Sequence, residues 1–523
     1  MIEEPETKKT LTVLDTTLRD GCQGKNVNFS LEDKRAATRI LDALGVSFIE
    51  CGNPASNPKD AEFFRTARDL PCFSKLAAFG STRRKGLSLP EDADFQALLS
   101  CAAPVVCVFG KSSAFHVDRI LRCSREENLR MIEDSVRALK DAGKFVVFDA
   151  EHFFDGYRAD ADFALAALRA AHDAGADVLC LCDTNGGTFP DEAAQIVRET
   201  AARFPQATLG IHAHDDAGCA VAVSIAAVKA GCRHVQGTLA GFGERCGNTN
   251  LSTLLPSLVL KLGYAVDGLD LSKLTSATRK IFETANLVMP ENLPYVGSAA
   301  FTHKAGMHAD GVLKERSAFE HIPPEAVGND RRFLLSEISG KSVLREKLKG
   351  TPYAREENLA PVRDELKNAE REGYVYETAE ASFLLRLSRR FGDYAPSFEL
   401  VSFKTISEQP EIEGIAATAV VKVRVGGKPT LCAAEGEGPV HALDKALKGA
   451  LLSFYPALAR VSLSDYKVRV INPENTTAAR VRVLITSTDG ETNWCTVGVS
   501  EDVVHASFLA LTDSLEYYLR MKP

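Results

Sequence analysis

The first half of the sequence predicts an α/β fold in which eight parallel strands alternate with helices. Short apolar runs with strand character are separated by segments of helical spacing, such as Ala193, Ile196 and Val197. The runs are Leu11–Leu18, Ser47–Cys51, Lys75–Phe79, Val105–Phe109, Phe145–Asp149, Val178–Leu181, Thr208–Ile211 and His234–Leu239. Eight such units in about 250 residues have the size of a (β/α)8 TIM barrel, whose active site lies at the carboxyl ends of the strands.

Three of these runs end in clusters of polar residues. The first stops at Arg19–Gln23, the seventh leads into His212-Ala213-His214, and the eighth leads into Gly241–Asn248. In a closed barrel the eighth strand lies between the first and the seventh, so we expect the clusters to converge. The first helix should begin at Ser30, because Asp33 stands where a capping box has its acidic or amide residue.

The pair His212 and His214 indicates a metal site. Residues two apart on a strand share one face, so both imidazoles can contact a single ion. The alternative is that two histidines at a strand end only form hydrogen bonds in a polar rim. Asp20 and the glycine-rich loop ending at Asn248 favour the metal site, because both are expected nearby.

Composition and charge are typical of a metabolic enzyme of the cytoplasm. The 523 residues suffice for about two to four domains with large cores. The net charge of −8 is spread along the chain without a long basic run, which argues against nucleic-acid binding. No apolar stretch has the length of a membrane span, and the amino-terminal stretch Met1–Lys9 is charged rather than signal-like.

The 13 cysteines are odd in number and scattered through predicted strands and helices, so we expect most of them to be reduced. Cys180, Cys182 and Cys246 lie close to the polar ends of the predicted strands. Packing in an apolar core is nevertheless the more common reason for a cysteine in a strand.

The sequence divides into four predicted parts. The barrel covers residues 1–275, and residues 276–341 form a linker subdomain that contains a polar cluster. Residues 342–395 form a charged helical subdomain, and residues 396–523 form a separate domain. This last part contains a repeat, because Val421–Val425 and Gly438–Ala442 are echoed by Val481–Ile485 and Asp502–Ala506. Each half predicts strands followed by one helix, which indicates an α+β module with approximate twofold symmetry.

Taken together, the motifs resemble those of the 2-isopropylmalate, citramalate and homocitrate synthases, a family of metal-dependent TIM-barrel acyltransferases. The resemblance covers nearly the whole chain. The segments that carry it are Leu14–Gln23, His212–Asp216, Gly243–Asn248, Gly306–His308 and the carboxyl-terminal repeat. The segments that favour the citramalate synthase branch are Ser56–Asp60, Asp149–Tyr157 and Cys182–Gly187.

The resemblance implies a Claisen condensation with acetyl-CoA as cosubstrate and a divalent metal ion as cofactor. Asp20, His212, His214 and Asn248 are then the ligands of the ion, which keeps positions open for the carboxylate and carbonyl oxygens of a 2-oxo acid. Mixed nitrogen and oxygen ligands suit zinc, manganese or magnesium, and the sequence does not choose among them.

The resemblance also assigns roles around the ion. Arg19 stabilises negative charge on the ketone or enolate oxygen, with a structural salt bridge as the alternative. Glu151 handles the proton of the acetyl group or positions the base that does so. Thr184 and Gln23 bind the substrate, although Thr184 has helix capping as an equally ordinary use. His308, from the adjoining subdomain, serves as acid or base.

Two positions depart from the pattern of the family. Phe319 stands where a tyrosine is common, so the hydroxyl that can relay a proton is missing unless His321, Tyr295 or water replaces it. Asn53 stands where citramalate-type relatives often carry tryptophan, close to the end of the second strand. The first departure bears on the turnover rate and the second on the identity of the acceptor.

The resemblance predicts a homodimer that makes (R)-citramalate from acetyl-CoA and pyruvate in isoleucine biosynthesis. The alternatives are a 2-isopropylmalate synthase acting on 2-oxoisovalerate, and a metal-retaining binder with little turnover. The family's carboxyl-terminal domain implies an amino-acid effector, here isoleucine, with leucine as the alternative. Glycines and helix starts at Gly436–Val440 and Val497–Ser500 are candidates for holding the carboxylate of that effector.

Overall fold

The computed structural model describes residues 9–521 apart from residues 68, 69, 71, 72, 337, 338, 393, 413, 414 and 473–478. The stretch Met1–Lys9 thus lies outside the described residues except for Lys9. Contacts divide the chain into two compact units, Met1–Phe301 with Ile322–Asp330, and Thr302–His321 with Arg331–Pro523. Among the helices described, none has both the length and the apolar character needed to cross a bilayer. Every cysteine in the described ranges is a free thiol.

The first unit is built on a closed barrel of parallel strands, as the sequence predicts. The barrel strands are β1 (Thr10–Asp15), β2 (Phe48–Gly52), β3 (Lys75–Ser81), β4 (Val105–Lys111), β5 (Phe145–Glu151), β6 (Val178–Asp183), β7 (Thr208–Ala213) and β8 (His234–Gly237). Each strand pairs with the next, and β1 pairs with both β2 and β8, which closes the barrel. The short strand β9 (Ala265–Val266) pairs with the start of β1.

Helices connect the strands and cover the outside of the barrel. They are α1 (Leu31–Leu44), α2 (Pro58–Thr66), α3 (Ala93–Ser100), α4 (Ala114–His116), α5 (Arg125–Asp141), α6 (Phe153–Ala159), α7 (Ala161–Asp173), α8 (Pro190–Arg203), α9 (Ala220–Ala230), α10 (Leu251–Pro256) and α11 (Leu274–Thr284). The predicted start of α1 is confirmed. The hydroxyl of Ser30 accepts the N–H of Asp33, and the Asp33 carboxylate accepts the N–H of Ser30.

The strand ends differ from the prediction in a way that matters for the site. Strand β1 ends at Asp15 rather than Leu18, because Asp15 Oδ1 accepts the N–H of Thr17 at 2.9 Å and turns the chain. Strands β3 to β7 instead run two residues beyond their predicted ends. Glu151 is therefore the last residue of β5 and lies on the barrel ladder, which gives its side chain a fixed direction.

The barrel has two apolar layers. Its interior is filled by Leu14, Phe48, Ala77, Val105, Cys107, Val147, Val178, Cys180 and Cys182. A second and larger layer lies between the outer face of the strands and the surrounding helices, where Leu41, Phe63 and Ile132 are fully buried. Removing this apolar surface from water holds the strands at fixed spacing, so the residues at their ends are carried on a rigid frame.

The second unit begins with the paired strands β10 (Thr302–His303) and β11 (Arg332–Phe333) and continues with helices. These helices are α12 (Gly306–Lys314), α13 (Lys341–Lys347), α14 (Glu356–Arg371) and α15 (Glu380–Phe391). Two antiparallel sheets follow, each with a helix after its third strand. The elements are β12 (Glu399–Ile412), β13 (Ile415–Val425), β14 (Lys428–Gly436) and α16 (Pro439–Leu451), then β15 (Ser462–Val470), β16 (Val481–Thr488), β17 (Asn493–Ser500) and α17 (Val503–Met521).

Two glycines occupy equivalent positions in this repeat. A Cβ added to Gly436 would lie 2.5 Å from the backbone nitrogen of Ala442, and one added to Gly498 would lie 1.9 Å from the carbonyl oxygen of Ala506. At both positions the helix crosses its strand too closely for a side chain. Helix packing thus accounts for these two glycines, which the sequence offered as ligand-holding positions. Gly438, at the start of α16, has open space instead.

Helix α15 shares its core with the second sheet. Phe383 and Leu387 belong to one buried cluster with Val497 and Val499. In addition, the buried carboxylate of Asp513 on α17 accepts hydrogen bonds of 2.7 Å from Ser382 and Arg389. Cutting the chain just after α15 would therefore open an apolar core and leave polar groups unpaired.

Candidate active site

A cavity of about 260 Å³ opens at the carboxyl ends of the barrel strands. Predicted site residues line it, namely Arg19, Asp20, Gln23, Glu151, Thr184, His212 and His214. Phe79, Phe109 and Cys182 contribute apolar wall, and the backbone of Asn248 forms a bridge with that of His214. Closure of the barrel thus brings together the residues that the sequence predicted at the ends of strands one, five, six, seven and eight.

Asp20, His212 and His214 point their ligand atoms at one place. The Nε2 atoms of the two histidines are 3.3 Å apart, and Asp20 Oδ2 is 3.3 Å from Nε2 of His212. All three side chains are buried. Two ring nitrogens that face each other at this distance are well placed to share one divalent ion.

The electrostatics of Asp20 and His214 suit a bound cation. Burial opposes ionisation of Asp20, but the charge of Arg19 and the hydrogen bond with His212 hold the pKa of Asp20 well below its usual range. Burial and the neighbouring His212 lower the pKa of His214 to about 4, so its imidazole is neutral near pH 7. A carboxylate and a neutral imidazole are the protonation states that bind metal.

Asn248 supplies a further donor. Its side-chain nitrogen donates to the carbonyl oxygen of Phe242 at 3.2 Å, while its Oδ1 is buried and has no hydrogen-bond partner within the described residues. A buried carbonyl oxygen without a partner is costly, and an ion relieves that cost. The donor set of Asp20, His212, His214 and Asn248 therefore fits a divalent cation.

Gln236 on β8 orients His212, and the sequence did not single it out. Its side-chain nitrogen donates to Asp149 Oδ1 at 2.8 Å, so its Oε1 faces His212 and accepts the Nδ1–H at 2.9 Å. This contact leaves Nε2 of His212 for the ion, as second-sphere partners of metal-bound histidines do. The available signal was a glutamine between Val235 and Gly237 inside a predicted strand.

Arg19 is fixed on three sides. Its Nε donates to the buried carboxylate of Glu50 at 2.6 Å, its guanidinium lies 3.7 Å from the centre of the Phe79 ring, and its Nη2 is 3.6 Å from Asp20. Burial alone would lower the pKa of Arg19, but the charges of Glu50 and Asp20 raise it. The salt bridge considered as an alternative therefore exists, and it leaves the guanidinium at the cavity wall.

Glu151 forms an ion pair with Lys111 at the end of the neighbouring strand β4. Its other oxygen, Oε1, is 4.0 Å from Nε2 of His152, whose own ring stacks on His116 at a centroid distance of 3.6 Å. Burial lowers the pKa of His152 to about 4, so this neighbour adds no charge near pH 7. Lys111 was missed because the predicted fourth strand stopped two residues too early.

Thr184 does not cap a helix. Its hydroxyl accepts the backbone N–H of His152 at 2.8 Å, and α8 begins after Phe189 instead. Arg245 reaches the same corner of the cavity, where it donates to the carbonyl oxygen of Thr184 and to both oxygens of Asp216. Gln23 is exposed at the rim.

Two other residues singled out in the sequence lie in the second unit. His308 is exposed on α12, and its ring stacks on that of Phe319 at a centroid distance of 4.4 Å. Phe319 is 46% exposed, and the next residue, Glu320, is buried and paired with Arg331 and His303. The acid–base role of His308 stays a prediction.

Asn53 has a local structural use. Its Oδ1 accepts the N–H of Ala55 at 2.9 Å and its own N–H donates to Asp60, so it shapes the turn after β2. It is not part of the lining of the 260 Å³ cavity.

Replacing His212 with alanine should abolish tight binding of one divalent ion per chain, because it removes the central donor of the group. We expect the barrel to stay folded, and turnover to be lost with the ion. Metal content after dialysis and circular dichroism check both points. His172→Ala on α7 is the matched control and should keep its metal. A full metal complement in His212→Ala would show that the ligand assignment is wrong.

Family models match three successive parts of the chain. Residues 10–281 match the model described as HMGL-like, and residues 295–373 match the homocitrate synthase post-HMGL domain. Residues 377–519 match the LeuA allosteric (dimerisation) domain.

Curated relatives match over nearly full length. An (R)-citramalate synthase of Aquifex aeolicus is 46% identical and one of Geobacter sulfurreducens is 45% identical, each match covering 97% of both chains. A 2-isopropylmalate synthase of Shewanella baltica is 31% identical over 95% of this chain and 93% of its own. The chain therefore belongs to the family of the 2-isopropylmalate, citramalate and homocitrate synthases, on the citramalate synthase branch.

Proposed function

We propose that this protein condenses acetyl-CoA with pyruvate to give (R)-citramalate and free CoA. The observation that carries the proposal is the convergence of Asp20, His212 and His214 beside a fixed Arg19 in one cavity. A divalent ion bound there supplies Lewis-acid polarisation of the 2-oxo acid. Manganese, magnesium and zinc all suit these ligands.

Arg19 stabilises the negative charge that develops on oxygen during the condensation. Because Glu50 and Phe79 hold the guanidinium, its remaining N–H groups face the cavity without a further loss of side-chain entropy. Thr184 and Gln23, which also line the cavity, bind the carboxylate of the oxo acid. Thr184 is itself held by the N–H of His152, so its position follows from the ends of β5 and β6.

Glu151 takes the proton from the acetyl methyl group. Its carboxylate lines the cavity and is placed by Lys111, so the base reaches the substrate from a strand end rather than a loop. His308 is the second acid–base group in this proposal. Its assignment rests on the Gly306-Met307-His308 motif and on the family, since it belongs to the second unit.

The choice of pyruvate as acceptor rests on the relatives. Those named (R)-citramalate synthase reach 46% identity, whereas those named 2-isopropylmalate synthase reach 31%. A pocket separates acceptors that differ by a methylene by only about 1–3 kcal/mol, so few side chains decide the preference.

The wider setting follows from the same assignment. We place the reaction in isoleucine biosynthesis in the cytoplasm. We assign residues 1–275 to catalysis, 276–341 to a linker subdomain that contributes to the active site, 342–395 to a helical subdomain, and 396–523 to regulation and dimerisation. The match to an allosteric dimerisation domain supports a homodimer with an amino-acid effector. We propose isoleucine as that effector, held by its carboxylate at the start of α16 beside Gly438.

An acceptor screen tests the proposed activity. Pyruvate, 2-oxobutyrate and 2-oxoisovalerate are each incubated with acetyl-CoA and a divalent metal, and a thiol reagent reports the CoA released. We expect kcat/KM to be highest with pyruvate. A preference for 2-oxoisovalerate would make the protein a 2-isopropylmalate synthase. Metal binding without CoA release for any acceptor would identify a binder.

Restoring the family hydroxyl at Phe319 should raise kcat. The Phe319→Tyr ring can keep its stacking on His308 while the hydroxyl relays a proton, so the change acts on the transition state more than on substrate binding. Steady-state kinetics should show a larger change in kcat than in KM. Phe73→Tyr, at an exposed phenylalanine before β3, is the control. An unchanged kcat would mean that another group already fills the role.

Placing a carboxylate at the start of α16 should remove feedback inhibition. Gly438 has open space and an extended backbone, so Gly438→Asp can cap the free N–H groups and exclude the carboxylate of the effector. Full-length protein is needed, because α15 shares its core with the second sheet. We expect Gly438→Asp to keep basal activity and lose inhibition by isoleucine, whereas Gly438→Ala keeps both. Equal inhibition of the two variants would locate the effector elsewhere.

A further inference from the structure

The thiols that the sequence singled out, Cys180 and Cys182, have no part in the proposed reaction. They lie two residues apart on β6, so both point into the barrel, with the same spacing as His212 on β7 and His214 just after it. Cys182 is paired in register with His212, and Cys180 lies one layer deeper. Both thiols are buried.

Asp149 on β5 completes a group of three possible ligands. It is paired in register with Cys180, and the ligand atoms of Asp149, Cys180 and Cys182 all lie within 4.8 Å of one another. Glu50 and Cys107 form a second such group with the same Asp149. Tetrahedral zinc sites have Zn–S bonds of about 2.3 Å, which put two sulfurs about 3.8 Å apart, so small side-chain rotations suffice here.

We propose that Asp149, Cys180 and Cys182 form a second metal site, which binds a thiophilic divalent cation such as zinc or cadmium. Thiolate ligands select such ions over magnesium and manganese, which prefer oxygen. The proposed catalytic site and this one therefore differ in selectivity although they lie in adjacent layers. Both Asp149 and Cys182 line the catalytic cavity, which gives an ion a route to the site.

The charge of the site is compatible with its surroundings. A hydrogen bond with Cys180 lowers the pKa of Cys182, but burial outweighs it and raises this pKa to about 11. The thiols therefore carry their protons in the absence of an ion. Binding replaces these two protons, which leave to solvent. The two thiolates and the Asp149 carboxylate then carry three negative charges, of which the cation offsets two, and the charge of Arg19 acts on Asp149.

Occupation of the site has a consequence for the catalytic layer. Asp149 now accepts the hydrogen bond of Gln236, which in turn orients His212. A cation that binds the Asp149 carboxylate weakens these two hydrogen bonds, so we expect thiophilic ions to weaken the binding of the catalytic ion. The second site would thus act as an inhibitory one.

Cadmium is the probe, because Cd–thiolate bonds give an ultraviolet charge-transfer band that oxygen and nitrogen ligands do not. Full-length protein is saturated with manganese under reducing conditions and titrated with cadmium. We expect one equivalent of cadmium to bind with the band of two Cd–S bonds. The doubly substituted Cys180→Ala, Cys182→Ala protein should lose this band, whereas Cys101→Ala, at a buried thiol elsewhere in the unit, keeps it.

Each outcome of this experiment either supports the second metal site or overturns it. No thiolate band in the unsubstituted protein, or an unchanged band in the double variant, overturns the proposal. If the double variant does not fold, Cys180→Ser alone leaves one thiol and should halve the band, since Cys180 is outside the cavity lining. An undiminished band in Cys180→Ser also overturns it. The experiment follows ion binding rather than turnover, so its result is independent of the proposed reaction.

Discussion

Pairing of β1 with β8 is the constraint on which the site depends. The register sets Leu14 opposite Gln236 and Asp15 opposite Gly237, so the segment that follows β1 starts beside the end of β8. Asp20 then meets His212 at 3.3 Å although 192 positions separate them in the chain. If β8 slipped by one residue against β7 and β1, Gln236 would turn outward and His212 would lose its orienting partner.

Buried charges in the site balance one another. Glu50 is fully buried and forms an ion pair with Arg19, whose guanidinium also faces Asp20. Removing one partner of such a pair leaves an uncompensated charge and costs about 3–5 kcal/mol. Burial and the charge of Glu50 raise the pKa of Asp149 to about 6. The cluster therefore keeps negative charge next to the candidate cation site, and the stability of the closed barrel offsets the free-energy cost of burying that charge.

Much of the fold and part of the site could be predicted from the sequence. Alternating apolar runs indicate eight strands, and the spacing of His212 and His214 places both on one face whatever the exact strand ends are. Glu50 and Gln236 were not predicted, because each lies inside a predicted strand and only the register shows what it contacts. Lys111 was missed for a related reason, since its strand was judged two residues too short.

The glycines of the repeat are the opposite case. The sequence suggested a ligand-binding role for them, whereas helix packing explains them in the structure. Gly436 and Gly498 hold their helices against the sheets, and only the structure shows that no Cβ fits there. Glycine next to a helix start has the same sequence signature whether a ligand or a helix lies over it. What separates the two cases is the space around the backbone, which is closed at 436 and 498 and open at Gly438. Ligand binding in this module is therefore restricted to the positions that packing has left free.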